Sequence, residues 1–442
     1  MRADQTPRRR AIDALESLFA DARKPKQALD SIDRNLEERD RAFLMELVYG
    51  VVRHRDCLDW MLSGFLSRPG GLASTTINNL RTAVYQIEFM RVPEWAAVDE
   101  AVSIEKAMRG RHGLVNAVLR NFLRNRPALP DPRKDASGKA LAVVTSHPLW
   151  LVQRWIRRFG LDEAIGLCTA DNTIPQTAIR IGDRARRDEA LRMLAEKNIA
   201  AHASSIVPAG IAVAGTVRFR DLADALAMPY VVQDEAAQLV GYLVNPSPGQ
   251  RVLDACAAPG GKATHLAELM GDSGEVIAMD LDDARLQMLR ETLVRLGLKS
   301  VTARVANALT CRDDRQFDHV LVDAPCSALG TIRRNPDIRY RITAADLDRL
   351  QVTQQRMLAN LARLVRPGGT LVYAVCSTEP EEGEMVIRRF LQEQPDFSII
   401  EGDFPFFEPF ACCDEGGFVG YRTFPHRHGM DGFFAVRMKC RP

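Results

Sequence analysis

The sequence predicts an α/β fold with a doubly wound, mostly parallel sheet in its C-terminal part, preceded by an all-α region and a small α+β region. Apolar residues recur at helical spacing up to about residue 127, and helical and strand-like patterns mix between about 133 and 240. Beyond that point, short apolar runs alternate with helical segments, which is typical of a parallel sheet. We therefore expect domains at 1–130, 131–240 and 241–442.

The N-terminal region is expected to be a bundle of helices. Its apolar residues recur every three or four positions, at Ile12, Leu15, Leu18 and Phe19, then at Phe43, Leu44, Leu47 and Val48, then at Leu58, Met61, Leu62 and Phe65. Pro69-Gly70-Gly71 and Pro93 indicate turns between helices. The proline-rich stretch 127–132 looks like a linker to the next region.

The middle region combines both kinds of pattern. Residues 149–159 and 188–196 have helical spacing, and residues 177–181 alternate as a strand does. In the C-terminal region, strands are expected at 251–254, 275–280, 301–305, 319–323, 370–375 and 433–438. A helix is expected from Asp282 to Leu296, ended by Gly297, and Thr343 with Asp346 resembles a capping box that starts another.

The composition excludes several classes of protein. The 442 residues are 46% apolar with a net charge of +2, no run of 18 apolar residues occurs, and the first residues lack the apolar segment of a signal peptide. Nine cysteines without a disulfide-like spacing suit a reducing compartment. The sequence contains no Cys-x-x-Cys, so it gives no indication of a zinc site. We expect a cytoplasmic protein that needs neither a membrane nor a metal.

A glycine-containing loop follows the first strand of the predicted parallel sheet, where such sheets bind ligands. Cys256 and Ala263 stand where an ATP-binding loop needs Gly and Ser or Thr, and the dinucleotide pattern of three glycines is missing. S-adenosylmethionine remains, with Asp280 at the end of the second strand placed to accept its ribose hydroxyls. The alternative is that Gly260-Gly261 forms an ordinary turn between a strand and a helix.

Two cysteines follow two further strands of the predicted sheet. Cys326 comes after the fourth strand and Cys376 after the fifth, so both thiols should lie at the ligand-binding edge. A lone cysteine is more often a small buried apolar residue, but two at strand ends favour chemistry. One thiolate can add to carbon 6 of a pyrimidine so that carbon 5 accepts a methyl group, and a second group then removes the carbon 5 proton. Asp323 could contact the pyrimidine or the methyl donor.

Four motifs resemble those of the NOL1/NOP2/Sun family of RNA cytosine-C5 methyltransferases. They are VLDACAAPGGKATHLAEL, AMDLDDARL, VLVDAPCSALGTIRRNPDIR and LVYAVCSTEPEEGE. The N-terminal helices resemble a NusB-like domain, which precedes the catalytic domain in bacterial 16S ribosomal RNA methyltransferases of this family. The resemblance implies a Rossmann-like methyltransferase domain, a ferredoxin-like or RRM-like middle domain and a NusB-like RNA-binding domain.

The resemblance also implies roles for individual residues. Cys376 would be the nucleophile and Cys326 would assist product release. Asp280 would hold the ribose of the cofactor and Asp323 would lie near its reactive end. The loop that holds the cofactor would consist of Cys256, Ala257, Ala258, Pro259, Gly260, Gly261 and Lys262.

Two positions depart from the family's usual pattern. Asn307 stands where an Asp near the adenine is usual, and it keeps an acceptor without the charge. Ala374-Val375 replaces the more usual Ala-Thr before the nucleophile, which removes one hydroxyl.

Basic residues mark two stretches that could bind RNA. Arg120 and Arg124 lie in the stretch 106–127, which contains no carboxylate, and Arg333 and Arg334 follow the Cys326 motif. A solvated helix face is the usual alternative for such a run. The target cytosine would have to be unstacked, in a loop or single strand of ribosomal RNA. We expect the protein to act as a monomer.

Two rival functions remain open, together with methylation of another RNA such as tRNA. A cysteine hydrolase would need a histidine beside Cys326 or Cys376, and neither motif contains one. A non-catalytic RNA-binding scaffold would explain the basic stretches but would leave two strand-end thiols and a cofactor loop without a purpose.

Overall fold

The computed structural model describes residues 6–20, 24–30, 32, 36–66, 69–215, 217–400, 405–414 and 416–442. The chain divides into two compact units. The first contains residues 1–173 and 332–341, and the second contains residues 174–331 and 342–442. No helix in these described ranges is both long enough and apolar enough to span a membrane.

The described residues of the first unit form helices, as predicted up to residue 130, and the unit also takes in helices from the region predicted to be α+β. Its helices are α1 (Pro7–Ala20), α2 (Pro25–Asp30), α3 (Glu38–Arg53), α4 (Arg55–Ser63), α5 (Ser74–Phe89), α6 (Glu94–Ala107), α7 (His112–Arg124), α8 (Lys139–Thr145), α9 (Leu149–Phe159) and α10 (Leu161–Asp171). The apolar residues at helical spacing form its core, in which Leu15, Leu47 and Leu58 are fully buried. Pro93 is the N-cap residue of α6, so it marks a helix start as its fixed φ angle favours.

The segment 332–341, which follows the Cys326 motif in sequence, belongs to this helical unit. Arg339 within it is 1% exposed. Its guanidinium donates to the carbonyl oxygens of Thr145 (2.9 Å), Ser146 (3.2 Å) and Arg53 (3.2 Å) and to Asn172 Oδ1 (3.0 Å). This arginine therefore satisfies the carbonyl groups of several chain segments inside the unit.

Arg333 in the same segment is also buried, with 5% of its surface exposed. Its carbonyl oxygen accepts a hydrogen bond from Arg53 Nη2 at 3.2 Å. A guanidinium inside the fold is not presented to a phosphate, so this burial argues against the RNA contact predicted for Arg333. Arg334 is half-buried, and its RNA contact stays a prediction.

The second unit begins with a small antiparallel sheet. Its strands are β1 (Thr177–Ile181), β2 (Ala201–Ala203), β3 (Gly210–Val213) and β4 (Tyr230–Val232), in the order β2-β3-β1-β4. The helices α11 (Arg187–Glu196) and α12 (Phe219–Ala225) accompany them. The expected mixture of helix and strand is thus confirmed, and β1 has the predicted bounds.

The large sheet of the second unit holds the predicted parallel strands. They are β5 (Arg251–Asp254), β6 (Glu275–Asp280), β7 (Val301–Val305), β8 (Phe317–Asp323) and β9 (Val365–Val375). The strands β10 (Phe397–Ile399), β11 (Ala411–Asp414), β12 (Gly417–Thr423) and β13 (Phe433–Cys440) are antiparallel additions. The order along the sheet is β11-β12-β13-β9-β8-β5-β6-β7, with β10 paired to β13.

Helices connect these strands as the sequence pattern indicated. They are α13 (Glu235–Val244), α14 (Gly261–Leu269), α15 (Asp283–Leu296), α17 (Ala344–Ala362), α18 (Glu384–Glu393) and α19 (Pro425–His428), while α16 (Ile338–Arg341) lies in the first unit. Gly297 ends α15 at a φ of 71°, and the capping box of Thr343 and Asp346 starts α17.

The order of the sheet fixes where a ligand site can form. The strands β5 and β8 are parallel neighbours, and the chain runs from β5 to β6 and β7 on one side and from β8 to β9 on the other. Such a reversal opens a crevice beyond the carboxyl ends of the strands. The loops after β5, β6, β8 and β9 all meet that edge.

Candidate active site

The predicted cofactor loop lies between β5 and α14 and is held by backbone hydrogen bonds. Ala257 N donates to Met279 O at 2.8 Å, and Gly260 N donates to Ala257 O at 2.7 Å. The bond between Ala258 and Pro259 is cis. Gly260 has a φ of 111°, and an added Cβ would lie 2.4 Å from Leu289 Cδ1. Only glycine fits this turn without strain, so the tight loop inferred from the sequence is present.

Asp280 ends β6 and braces the loop through its carboxylate. Oδ2 accepts from Ala258 N at 3.1 Å, and Oδ1 accepts from Asp282 N at 3.1 Å. A carboxylate has about four acceptor positions, so two remain for the hydroxyls of a ribose.

Asn307 lies just beyond β7, at the same edge. Its Oδ1 accepts a hydrogen bond from Leu309 N at 2.9 Å. A carbonyl oxygen has a second lone pair, which is the acceptor left for an adenine amino group. The adenine contact of Asn307 stays a prediction.

Lys262 and Asp323 form an ion pair across the crevice. Lys262 Nζ donates to Asp323 Oδ2 at 2.7 Å, which joins the loop after β5 to the end of β8. Burial lowers the pKa of Lys262, but the charges of Asp323 and Cys376 outweigh it and raise that pKa above its ordinary value. The lysine is therefore a permanent cation beside both the carboxylate and the thiol.

The two predicted catalytic thiols are neighbours. Cys326 Sγ and Cys376 Sγ are 3.3 Å apart, since β8 and β9 are paired in parallel with Asp323 opposite Ala374. The hydrogen bond to Cys376, followed by burial, raises the pKa of Cys326 well above its ordinary value. Cys326 is therefore a thiol at neutral pH, and its partner is a second sulfur rather than the imidazole that a cysteine hydrolase needs.

A third cysteine, Cys256, lies in the cofactor loop. Burial, followed by the charge of Asp323, raises its pKa well above the ordinary value. A protonated thiol is a poor nucleophile, so we assign no covalent step to Cys256.

The charges at this edge suit a cationic ligand. Asp254 at the end of β5 is fully buried, and neither of its oxygens has a well-formed hydrogen bond within the described part of the chain. Burial and the negative charge of Asp323 raise the pKa of Asp254 to about 7, and Asp280 adds to the effect. S-adenosylmethionine carries a sulfonium and an ammonium group, so these carboxylates and the tight loop fit it. The described residues include no group of three or more His, Cys, Asp or Glu placed to hold a metal ion.

Sequence reasoning missed Arg180, a buried contributor from the small sheet. Its guanidinium is fully buried and donates to Glu268 Oε2 (2.7 Å), Gly261 O (2.8 Å) and Thr264 Oγ1 (3.0 Å). It therefore fixes the start of α14, directly after the cofactor loop. The available signal was an arginine within the apolar alternation of β1.

Sequence reasoning also missed Glu382, which follows the Cys376 motif. Its carboxylate is fully buried and accepts hydrogen bonds from Ser327 and Ser377, the residues after the two thiols. In sequence it belongs to the acidic run 379–384, which resembles a solvated surface, so no local signal distinguished it.

The predicted RNA-binding residues of α7 are exposed, and Arg120 lines an open groove between α6 and α7. The groove has a volume of about 1040 Å³ and also contains His112, Asn116 and Trp95, of which the indole is 74% exposed. Glu94 and Asp99 line it too. Nothing in this geometry tests RNA contact by Arg120 or Arg124, which stays a prediction.

Comparison with known families identifies three matching regions. Residues 241–439 match the 16S rRNA methyltransferase RsmB/F family, and residues 5–124 match the NusB family. Residues 147–220 match the ferredoxin-like domain of RsmF/B-like methyltransferases.

Individual relatives match over nearly their whole length. The probable ribosomal RNA small subunit methyltransferase B of Bacillus subtilis is 35% identical over 97% of this chain and 97% of its own. The ribosomal RNA small subunit methyltransferase B of Pseudomonas putida is 35% identical over 98% of both. A solved methyltransferase homologue from Pyrococcus horikoshii is 25% identical, with a TM-score of 0.60 over 69% of this chain and 99% of its own.

Proposed function

The chain belongs to the RsmB/F family of 16S ribosomal RNA methyltransferases, and from this premise we propose that it methylates carbon 5 of a cytosine in 16S ribosomal RNA. The observation that carries the proposal is the thiol pair, with sulfurs 3.3 Å apart beside a lysine–carboxylate pair. Methylation at an oxygen or an exocyclic nitrogen needs no thiol, because those atoms are nucleophilic themselves. Carbon 5 of cytosine is not, and it requires covalent activation.

Cys376 is the nucleophile in the proposed reaction. Its sulfur adds to carbon 6 of the cytosine, which places negative charge on carbon 5, and carbon 5 then forms the new carbon–carbon bond. S-adenosylmethionine supplies an electrophilic methyl group on a sulfonium. The ammonium group of Lys262 interacts with Cys376, and a cation at this place suits a sulfur nucleophile.

Cys326 acts after methyl transfer. Its sulfur lies 3.3 Å from that of Cys376, so it is close to the ring that Cys376 holds. In the proposed step Cys326 loses its own proton to water and takes the proton from carbon 5. The carbon–sulfur bond at carbon 6 breaks, and Cys376 leaves as a thiolate.

Asp323 positions the reacting base or the methyl donor. Its Oδ2 is held by Lys262 at 2.7 Å, so the carboxylate has a fixed orientation at the end of β8. A fixed acceptor there can bind the exocyclic amino group of cytosine, which uracil lacks.

The helical unit is proposed to hold the RNA. Arg120, Arg124 and the exposed Trp95 supply phosphate contacts and a stacking surface near one groove. Basic side chains with an exposed aromatic ring are the elements of single-strand binding. The carboxylates that also line the groove limit how much of it a phosphate backbone can follow.

The test of the proposed function is methyl transfer in vitro. The purified protein, S-adenosylmethionine with a labelled methyl group and 16S ribosomal RNA are combined, and the digested nucleosides are identified by mass spectrometry. Labelled 5-methylcytidine is the expected product, and tRNA serves as a parallel substrate. A label at another atom, or in tRNA alone, contradicts the proposal.

Asp280→Ala should weaken binding of S-adenosylmethionine roughly tenfold to somewhat more than a hundredfold, because a charge-assisted hydrogen bond is worth about 1.5–3 kcal/mol. Isothermal titration measures the change. Since Asp280 also braces Ala258, Asp280→Asn is the matched control that keeps one acceptor for the loop. Unchanged affinity in Asp280→Ala would place the ribose elsewhere.

The affinity for RNA should fall steeply with salt, and Arg120→Glu/Arg124→Glu should flatten that dependence. Each lost phosphate contact removes about 0.7 from the slope of log affinity against log salt for a single strand. Filter binding at several salt concentrations gives the slope. Arg192→Glu/Arg220→Glu, which reverses the charge of two other exposed arginines, is the control for net charge. An unchanged slope in Arg120→Glu/Arg124→Glu would mean that these residues of α7 face solvent and do not bind RNA.

A further inference from the structure

A buried carboxylate joins the two loops that carry the thiols. Glu382 is fully buried in the turn before α18, and Ser327 and Ser377, which follow Cys326 and Cys376, are 2% and 0% exposed. Ser327 donates its backbone N–H to Glu382 Oε1 at 2.8 Å and its hydroxyl to Oε2 at 2.5 Å. Ser377 donates its hydroxyl to the same Oε2 at 2.6 Å.

A fourth donor completes the shell of Glu382. Gln354 on α17 donates to Glu382 Oε1 at 3.1 Å and to the carbonyl oxygen of Pro325 at 3.0 Å. Pro325 is the residue directly before Cys326. The carboxylate thus accepts four hydrogen bonds, which is about the number that its lone pairs allow. All four partners donate, so an ionised carboxylate is the group that satisfies them together. An amide in its place would offer one accepting atom only.

We infer that Glu382 is a positioning residue of the methyl transfer, because its carboxylate holds the loops of Cys326 and Cys376 in the register that keeps the two sulfurs side by side. The inference rests on the proposed function for its effect on turnover. One backbone bond also joins the two loops, from Gly330 N to Cys376 O at 3.1 Å. The serine–glutamate bonds add side-chain contacts at the residue that follows each thiol.

The charge of Glu382 also acts on the Cys326 thiol. It is one of the groups that raise the pKa of Cys326, after the hydrogen bond to Cys376 and burial. The Glu382 carboxylate therefore favours the protonated form of Cys326 and also holds the loop that carries this residue.

The test replaces Glu382 with glutamine and separates turnover from binding. Glu382→Gln should lower kcat about tenfold to a hundredfold, since displacement of reacting groups by about 1 Å has effects of this size. The KM for RNA and the Kd for S-adenosylmethionine should stay within about twofold, because Glu382 is fully buried and bonds only to neighbouring protein groups. The half-buried neighbour Glu381→Gln is the matched control and should keep the activity of the unaltered protein.

Milder variants keep the test decisive if Glu382→Gln does not fold. Ser327→Ala and Ser377→Ala each remove one side-chain donor, and each should lower kcat with little change in KM. In the Ser327→Ala/Ser377→Ala double variant the two effects should be much less than additive, because both hydroxyls act through one carboxylate. Additive effects, or an unchanged kcat in all three single variants, would overturn the inference.

A second readout does not depend on methylation. Phenylarsine oxide forms two arsenic–sulfur bonds with adjacent thiols and releases water, and peptide mass spectrometry locates the bridge between Cys326 and Cys376. Bridging should be several-fold slower in Glu382→Gln than in Glu381→Gln. If the unaltered protein makes no 5-methylcytidine while bridging is slowed, the proposed function fails and the positioning role stands. If methylation occurs and neither turnover nor bridging changes, the positioning role fails.

Discussion

Cys376→Ala should abolish methyl transfer and form no covalent complex with RNA, whereas Cys326→Ala should accumulate such a complex. The loss of activity in Cys376→Ala should exceed about a thousandfold, as is usual when a nucleophile is removed. Cys326→Ala should still attack carbon 6 and accept the methyl group. It should then stall, because the base that removes the carbon 5 proton is missing.

The geometry alone does not choose between the thiols, since the two sulfurs are 3.3 Å apart and both loops reach the same sheet edge. The electrostatics favour the assignment. The raised pKa of Cys326 keeps it protonated, while Lys262 is a cation that interacts with Cys376. A protonated Cys326 is suited to the assisting role, which leaves the attack on carbon 6 to Cys376.

Denaturing electrophoresis of both variants with labelled RNA measures the result. The complex in Cys326→Ala should depend on S-adenosylmethionine, and Cys440→Ala, a half-buried cysteine elsewhere in the sheet, is the control that should behave as the unaltered protein. A stable complex in Cys376→Ala and none in Cys326→Ala would reverse the assignment. No complex in either, with methylation intact, would remove both thiols from the mechanism.

Much of this fold could be predicted because its strands are short apolar runs between helices of clear periodicity. β5, β6 and β7 have the predicted bounds, and the helix α15 begins one residue later than predicted, since Asp282 is its cap. β8 and β9 begin before the expected residues, at Phe317 and Val365. Those extensions contain Asp318 and the Pro367-Gly368-Gly369 turn, which no apolar pattern identifies as strand.

The strand-end residues of the site were predictable for a physical reason. Parallel strands bring their carboxyl ends to one edge, so Asp280, Asp323, Cys326 and Cys376 could be gathered without any contact information. Arg180 and Glu382 could not. The partners of Arg180 lie 53 to 88 residues away in sequence, and those of Glu382 lie 5 to 55 residues away. A buried charge looks like any surface charge until its partners are known.

In the basic segment after Cys326, the sequence pattern indicated exposed charges, but the fold buries some of them. Four arginines between 333 and 341 indicated an RNA surface, yet Arg339 and Arg333 are buried in the helical unit. Carbonyl oxygens at the ends of helices need donors, and a guanidinium with five N–H groups can serve several at once. Charge density therefore indicated a ligand surface in a segment where Arg339 instead satisfies backbone carbonyl groups.

The environment of Asp254 leads to a prediction about stability. Its pKa is raised to about 7 by burial and by the charge of Asp323, from an ordinary value of 3.8. In the unfolded chain the carboxyl loses its proton near pH 4, whereas in the folded protein it keeps the proton until about pH 7. The folded state therefore binds more protons between these values. The contribution of this carboxyl to the free energy of unfolding is greatest below pH 4, and it is lost as the pH rises through 7.

Asp254→Asn should remove this loss, because the amide stays neutral at every pH. From pH 5 to pH 8 the free energy of unfolding of the unaltered protein should fall by roughly 2.5–3 kcal/mol relative to that of the variant, at about 1.4 kcal/mol for each pKa unit. Titrations of the buried histidines occur in both proteins and cancel in the difference.

Urea unfolding at pH 5 and pH 8, without S-adenosylmethionine, measures this difference, with hydrogen exchange of peptides from β5 and β6 as the probe. Those strands report the sheet that holds Asp254, so unfolding of the helical unit does not obscure the result. Asp348→Asn, at an exposed carboxylate on α17, makes the same chemical change without burial and should give a difference that does not vary with pH. If Asp254→Asn behaves in the same way, Asp254 is ionised across the whole range, and a donor or cation must then compensate its charge in the folded sheet.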